Sequence, residues 1–134
     1  AALPDRVVVV GGPEDRGLGD AIVAAAPGRA WNATGDLSLR QSAALIERAA
    51  VLVTNDSAPL HLASGVGTRI VALFGPTIPA FGFGPVGPDD TVVELEALDC
   101  RPCSKHGPQV CPLGHHHCMR ELSVERVIRA IRHP

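Results

Sequence analysis

The run Thr54-Asn55-Asp56-Ser57-Ala58-Pro59-Leu60-His61 gathers a carboxylate, a hydroxyl and an imidazole within two turns of chain. The apolar run Val51 to Thr54 leads into it. Pro59 suits the first turn of a helix, where a missing N–H costs nothing. A helix that starts at the end of a strand presents unpaired N–H groups and the positive end of its dipole, which hold a phosphate without lysine. Ser57 adds a hydroxyl donor. Asp56 does not suit a phosphate, because two anions repel, but its carboxylate suits the hydroxyls of a sugar. His61 lies one turn into the helix, within reach of the same ligand. A purely structural reading stands beside this one: Asp56 or Ser57 only caps the helix, and His61 is a half-buried side chain with its bonds satisfied.

A second cluster is sulfur-rich. Cys100, Cys103, Cys111 and Cys118 give the spacing C-x2-C-x7-C-x6-C, with His106, His115, His116 and His117 among them. Four thiols so placed can close a tetrahedral structural zinc or iron site, although the later spacings are looser than in a zinc ribbon. Reduced thiols packing a loop and disulfides formed outside the cell are the other readings. The histidines read as exposed polar residues, since four thiolates already fill a metal site.

The elements that would position these groups alternate. Arg6 to Val10 reads as a buried strand closed by Gly11-Gly12-Pro13, and Glu14 to Ala26 as a helix weakened by Gly17 and Gly19. Ala30 to Ala33 is a short strand. Ser38 and Gln41 form a capping box for a helix with Leu39, Ala43, Ile46 and Ala50 on its apolar face. Val51 to Thr54 is a second buried strand, Pro59 to Val66 a helix ending at Gly67, and Arg69 to Phe74 a third buried strand. A Gly/Pro-rich loop over 75–90 leads to a strand over 91–95. The cysteine segment, 99–119, has no period, and Ser123 caps a final helix over 123–132. This order predicts an α/β fold, a Rossmann-like parallel sheet with helices on both faces, in which ligands bind at the carboxyl ends of the strands.

The 134 residues are enough for one domain, 1–134, with 46% hydrophobic residues and a formal charge of −2. That balance excludes a basic nucleic-acid arm and an acidic disordered tail. Trp31, Phe74, Phe81 and Phe83 are too few for a stacking platform. No apolar run is long enough for a membrane span, and AALPDRVVVV has no signal-peptide pattern. Neither a dinucleotide fingerprint nor a P-loop is present, and the sole lysine is Lys105.

The string NDSAPLHLASGVGTRIVALFGPT resembles the signature of the ADP-heptose:lipopolysaccharide heptosyltransferases, approximately D-[ST]-G-P-x-H-x-A followed by an apolar strand and F-G-P-T. VVVVGGPEDRGL, TGDLSLRQSAALIERAAVLVTND and, for the heptosyltransferase II branch, CRPC…CPLGHHHCMREL are similar to further family segments. The resemblance implies the C-terminal, donor-binding half of a two-domain GT-B glycosyltransferase. It implies an ADP-heptose donor, inverting transfer and a lipid A–core acceptor met through a separate N-terminal domain. Such an enzyme is cytoplasmic, with the inner face of the inner membrane as its place of work, and uses no metal for the transfer.

By the same resemblance Asp56 binds sugar hydroxyls, and Ser57 and the Ala58 amide bind the pyrophosphate with His61 close by. Gly12 and Asp15 (or Glu14) approach the nucleoside, Leu37 packs near adenine, and Thr77 of Gly75-Pro76-Thr77 shapes the crevice. Ala58 stands where the family usually has Gly, so the phosphate meets an extra methyl group. The family's general base and catalytic lysine lie upstream of the matched segments, so the chain alone is expected to be inactive. Some protein-glycosylating members hold a metal with four cysteines, which brings Cys100, Cys103, Cys111 and Cys118 into question as ligands. A protein-glycosylating domain and a non-catalytic module with a metal-clamped loop are the alternative functions.

Overall fold

The computed structural model describes residues 6–133. The N-terminal residues in which no signal peptide is read, 1–5, lie outside the described residues, as does residue 134 of the proposed domain. The elements run β1 (Val7–Val9), α1 (Arg16–Ala25), β2 (Ala30–Asn32), α2 (Leu39–Glu47), β3 (Leu52–Asn55), α3 (Ala58–Val66), β4 (Ile70–Phe74), β5 (Thr91–Glu94), α4 (His117–Arg120) and α5 (Val124–Arg132). Short 3-10 turns occupy Pro13–Asp15 and Pro79–Phe81. The chain forms two compact units, Ala1–Leu45 and Ile46–Pro134.

In the first unit β1 pairs in parallel with β2, Val8 opposite Trp31, and α1 packs against β2. The end of β2 is latched by Asn32. Its amide nitrogen donates to Asp20 Oδ1 at 2.7 Å and to the Arg16 carbonyl at 3.1 Å, and its oxygen accepts from the buried Thr34 hydroxyl at 2.6 Å. Val7 and Val8 are 41% and 42% exposed, so the expected buried strand is instead an exposed one. A β-branched run reports strand propensity, but burial on both faces requires elements packed on both. Helix α1 begins at Arg16 rather than Glu14, because Pro13, Glu14 and Asp15 form the tighter 3-10 turn.

The second unit has parallel strands in the order β3-β4-β5. Strand β4 is central and alternates between two cores. Ile70, Ala72 and Phe74 face a cluster with Ile46, Leu60 and Ala63, which includes α3. Val71 faces Val93 and Ala130, with Val127 and Ile131 of α5 packed beside them. Helices therefore cover both faces of this sheet, as the α/β reading requires. Among the described residues of this unit β3 pairs with β4 alone, and Val53 is exposed, which corrects its reading as a buried strand.

Two caps define the helices that matter below. Ser38 and Gln41 make the capping box: the Ser38 N–H donates to Gln41 Oε1 at 2.9 Å, and the Gln41 N–H to Ser38 Oγ at 3.4 Å. Gly67 ends α3 at φ 75°, a left-handed position that glycine adopts at little cost. Leu39, placed on the apolar stripe by its spacing, is 68% exposed, because it opens α2.

Candidate functional site

In the second unit the junction between β3 and α3 carries Asp56, Ser57, Ala58 and His61. Ser57 is the N-cap of α3 in extended conformation, yet its side chain makes no capping bond. Its hydroxyl donates instead to the Asn55 carbonyl at 3.2 Å and lies 3.2 Å from Thr54 Oγ1. The first turn of α3 is thus left uncapped by any side chain, and the reading of Ser57 or Asp56 as a mere cap does not describe this helix. Ser57, Ala58 and His61 are exposed, while Asp56 is half-buried.

Asp56 has a partner that its spacing did not announce. Thr77, 4% exposed in the loop after β4, donates its hydroxyl to Asp56 Oδ2 at 2.8 Å. Two residues drawn from different strand ends are joined, and the carboxylate is oriented with acceptor capacity remaining on its other oxygen.

Gly75-Pro76-Thr77 is itself braced by the cysteine segment. The Cys103 N–H donates to the Pro76 carbonyl at 2.9 Å. Gly107, at φ 71°, passes so close to Pro76 and Thr77 that a Cβ there would meet Pro76 Cγ at 3.1 Å. Arg101 donates to the Thr77 carbonyl at 2.8 Å and to the Gly75 and Leu95 carbonyls, and pairs with Glu94 Oε2 at 2.7 Å. Sequence reasoning passed over Arg101. A lone arginine between two cysteines reads as a surface residue, and only the carbonyls gathered around it show otherwise.

The four cysteines are free; Cys118 is buried and the others half-buried. Among the described residues, no three His, Cys, Asp or Glu side chains are grouped so as to hold a metal ion. Burial first, and then the neighbouring Cys103, push the Cys118 thiol up; Arg101 opposes them, and Cys100 and Cys111 add smaller upward effects. The N–H of His116 leads the contacts that draw the Cys111 thiol down, joined by those of Leu113, His115 and Gly114 and opposed by burial.

The first unit holds Gly12, Asp15 and Leu37. Asp15 turns back on its own loop, accepting from the Gly12 N–H at 2.9 Å. Asp36, next to Leu37, pairs with Arg16 at 2.5 Å. The loops after β1 and β2 are tied by the Gly35 N–H, which donates to the Gly11 carbonyl at 3.0 Å. Gly35 sits at φ 75° with Pro13 Cα 2.9 Å from where a Cβ would stand, so only glycine fits. Asp15 is exposed and Leu37 half-buried.

No helix among the described residues is long and apolar enough to cross a membrane. The model of glycosyltransferase family 9 (heptosyltransferase) matches residues 5–113. Lipooligosaccharide heptosyltransferase 2 of Campylobacter jejuni is 37% identical over 86 residues, which is 61% of this chain and 25% of that protein. Its namesake in Haemophilus influenzae is 27% identical over 132 residues, 93% of this chain and 36% of that one. Among solved structures, ADP-heptose lps heptosyltransferase II of E. coli superposes with a TM-score of 0.76 at 27% identity, covering 95% of this chain and 35% of that chain. The family 9 glycosyl transferase of Veillonella parvula gives 0.75 at 30% identity with the same coverage. The chain thus spans about a quarter to a third of the length of these relatives.

Proposed function

The chain belongs to glycosyltransferase family 9, the heptosyltransferases, and from that we propose that it is the donor-binding part of an inverting enzyme that moves heptose from an ADP-heptose to the lipopolysaccharide inner core. The observation that carries this reading is the junction of β3 with α3, where an uncapped helix start lies beside a carboxylate held by Thr77. Ser57, the Ala58 amide and the helix dipole serve the pyrophosphate, with His61 on the same helix. Asp56 serves the sugar hydroxyls. Gly12, Asp15 and Leu37 serve the nucleoside. The lipid A–core acceptor is met, and the general base supplied, by protein beyond these residues. The site needs neither nucleic acid nor a transmembrane segment, and its place is the cytoplasm at the inner membrane face.

Calorimetry on the 134-residue chain tests the reading. ADP should bind, and ADP-heptose should bind more tightly through Asp56. Asp56→Asn should weaken ADP-heptose about tenfold or more, the equivalent of one charged hydrogen bond, and leave ADP within about twofold. Absence of binding by both ligands would refute the donor role and favour a non-catalytic module.

The proposed transfer uses no metal. A zinc or iron ion at Cys100, Cys103, Cys111 and Cys118 would brace the loop alone, as Arg101 and the Cys103 N–H already do. Treatment with a strong chelator is therefore expected to leave the affinity for ADP unchanged. A tenfold loss on chelation would give the cysteines a part in the site.

A further inference from the structure

Arg101 has the environment of a structural pin at the mouth of the sheet. Its side chain is 3% exposed although it carries a full charge. A buried guanidinium is tolerated only when its charge is paired and its N–H groups are used. Both conditions hold. Its donors reach five acceptors: the carbonyls of Phe74, Gly75, Thr77 and Leu95, and the Glu94 carboxylate. These acceptors lie at the ends of two neighbouring strands, β4 and β5, and in the loop that follows β4.

One bond in this set leads to the site. The same Nη2 that pairs with Glu94 donates to the Thr77 carbonyl, and Thr77 donates its hydroxyl to Asp56 Oδ2. The backbone of Thr77 is therefore fixed from one side by Arg101, and its side chain fixes Asp56 on the other. A lysine cannot replace this fork, because a point ammonium does not reach several carbonyls in one plane.

We propose that Arg101 is a positioning residue for sugar recognition, holding Thr77 so that the Asp56 carboxylate is aimed at the hydroxyls of the donor. The cysteine segment's contribution to the site is then to deliver this arginine. The inference deepens the donor-binding reading and rests on it for the identity of the ligand.

Two measurements separate the inference from that reading. The first needs no ligand. In Arg101→Lys and in Glu94→Gln, hydrogen exchange of the Cys103 amide, which donates to the Pro76 carbonyl at 2.9 Å, should rise about tenfold or more, while β4 residues 70–73 stay protected as in the parent chain. Unchanged exchange of the Cys103 amide in both variants would overturn the inference.

The second measures Kd for ADP and for ADP-heptose. Thr77→Val and Arg101→Lys should reduce the preference for ADP-heptose over ADP by about tenfold, with Thr77→Ser close to the parent. A merely structural role would weaken both ligands together, and that outcome would also overturn the inference. If Arg101→Lys fails to fold, Glu94→Gln takes its place: a preserved preference there, together with unchanged exchange, counts against the pin. Failure of the parent chain to bind either nucleotide would instead sink the donor-binding reading, leaving the exchange result to decide the role of Arg101.

Discussion

Cys111 and Cys118 share a segment yet have opposite environments. Around Cys111 the chain folds into a tight turn, with the Gly114 N–H donating to the Cys111 carbonyl at 3.0 Å and both Gly114 and His116 in the left-handed region. This wraps backbone N–H groups about the sulfur, that of His116 contributing most, and lowers its pKa. Cys118 is buried, and burial raises its pKa first, with the other thiols adding to it. The thiolate is the nucleophile, so a lowered pKa means faster alkylation at a given pH. Iodoacetamide at about pH 8, followed by mass spectrometry, should modify Cys111 first and Cys118 last. Equal rates at the two would show that the turn around Cys111 does not hold in solution. The spacing of the cysteines suggested a common fate for all four; their different surroundings arise from the turn at Cys111 and from the burial of Cys118 beside Gly75, which spacing does not encode.

At the level of elements, local signals were readable and packing signals were not. The Ser38–Gln41 box, Pro59 in the first turn of α3 and Gly67 at its end are chemical markers that act over three or four residues, and each element lies where they place it. The apolar runs were ambiguous. The run over 70–74 is buried on both faces because β4 has strands on both sides and helices above and below. The similar runs in β1 and β3 leave Val7, Val8 and Val53 exposed. Within the site, Asp56, Ser57 and His61 were legible as one motif. Its bond to Thr77 was not, because it joins residues 21 apart across neighbouring strand ends. A comparable long-range bond ties two helix ends: buried Thr68, just past α3, donates its hydroxyl to the Ile46 carbonyl in α2 at 2.8 Å. Thr68→Val keeps the shape and removes one of two donors, leaving the Ile46 carbonyl with the Ala49 N–H alone, at 2.9 Å. It should lower unfolding free energy by about 0.5–1.5 kcal/mol in a urea titration, the net worth of one hydrogen bond. A change within a few tenths would mean that water replaces the hydroxyl.

For the molecule as a whole, binding and turnover make different demands. Holding a nucleotide sugar requires an anion site and acceptors for hydroxyls, and the proposed reading draws both from the β3–α3 junction, from the uncapped start of α3 and the Asp56 carboxylate. Transfer with inversion also requires a base within hydrogen-bond reach of the acceptor hydroxyl, on the face of the sugar opposite the departing phosphate. The best-placed carboxylate of the second unit, Asp56, is poorly suited to that work. It is already engaged with the Thr77 hydroxyl, and the proposed reading assigns its remaining capacity to the donor rather than the acceptor. The chain also spans only about a third of the solved relatives. The expected outcome is therefore a separation of the two activities in one sample. With ADP-heptose and a lipid A–core acceptor present, the 134-residue chain should bind donor yet release ADP no faster than a protein-free control. Sustained ADP release that Asp56→Asn abolishes would place the base within this chain and make Asp56 catalytic. Release unaffected by that substitution would still locate the base here, but on another side chain. In either case the assignment of proton abstraction to protein beyond these residues would fall, while the proposed anion site at the start of α3 would be untouched by the result.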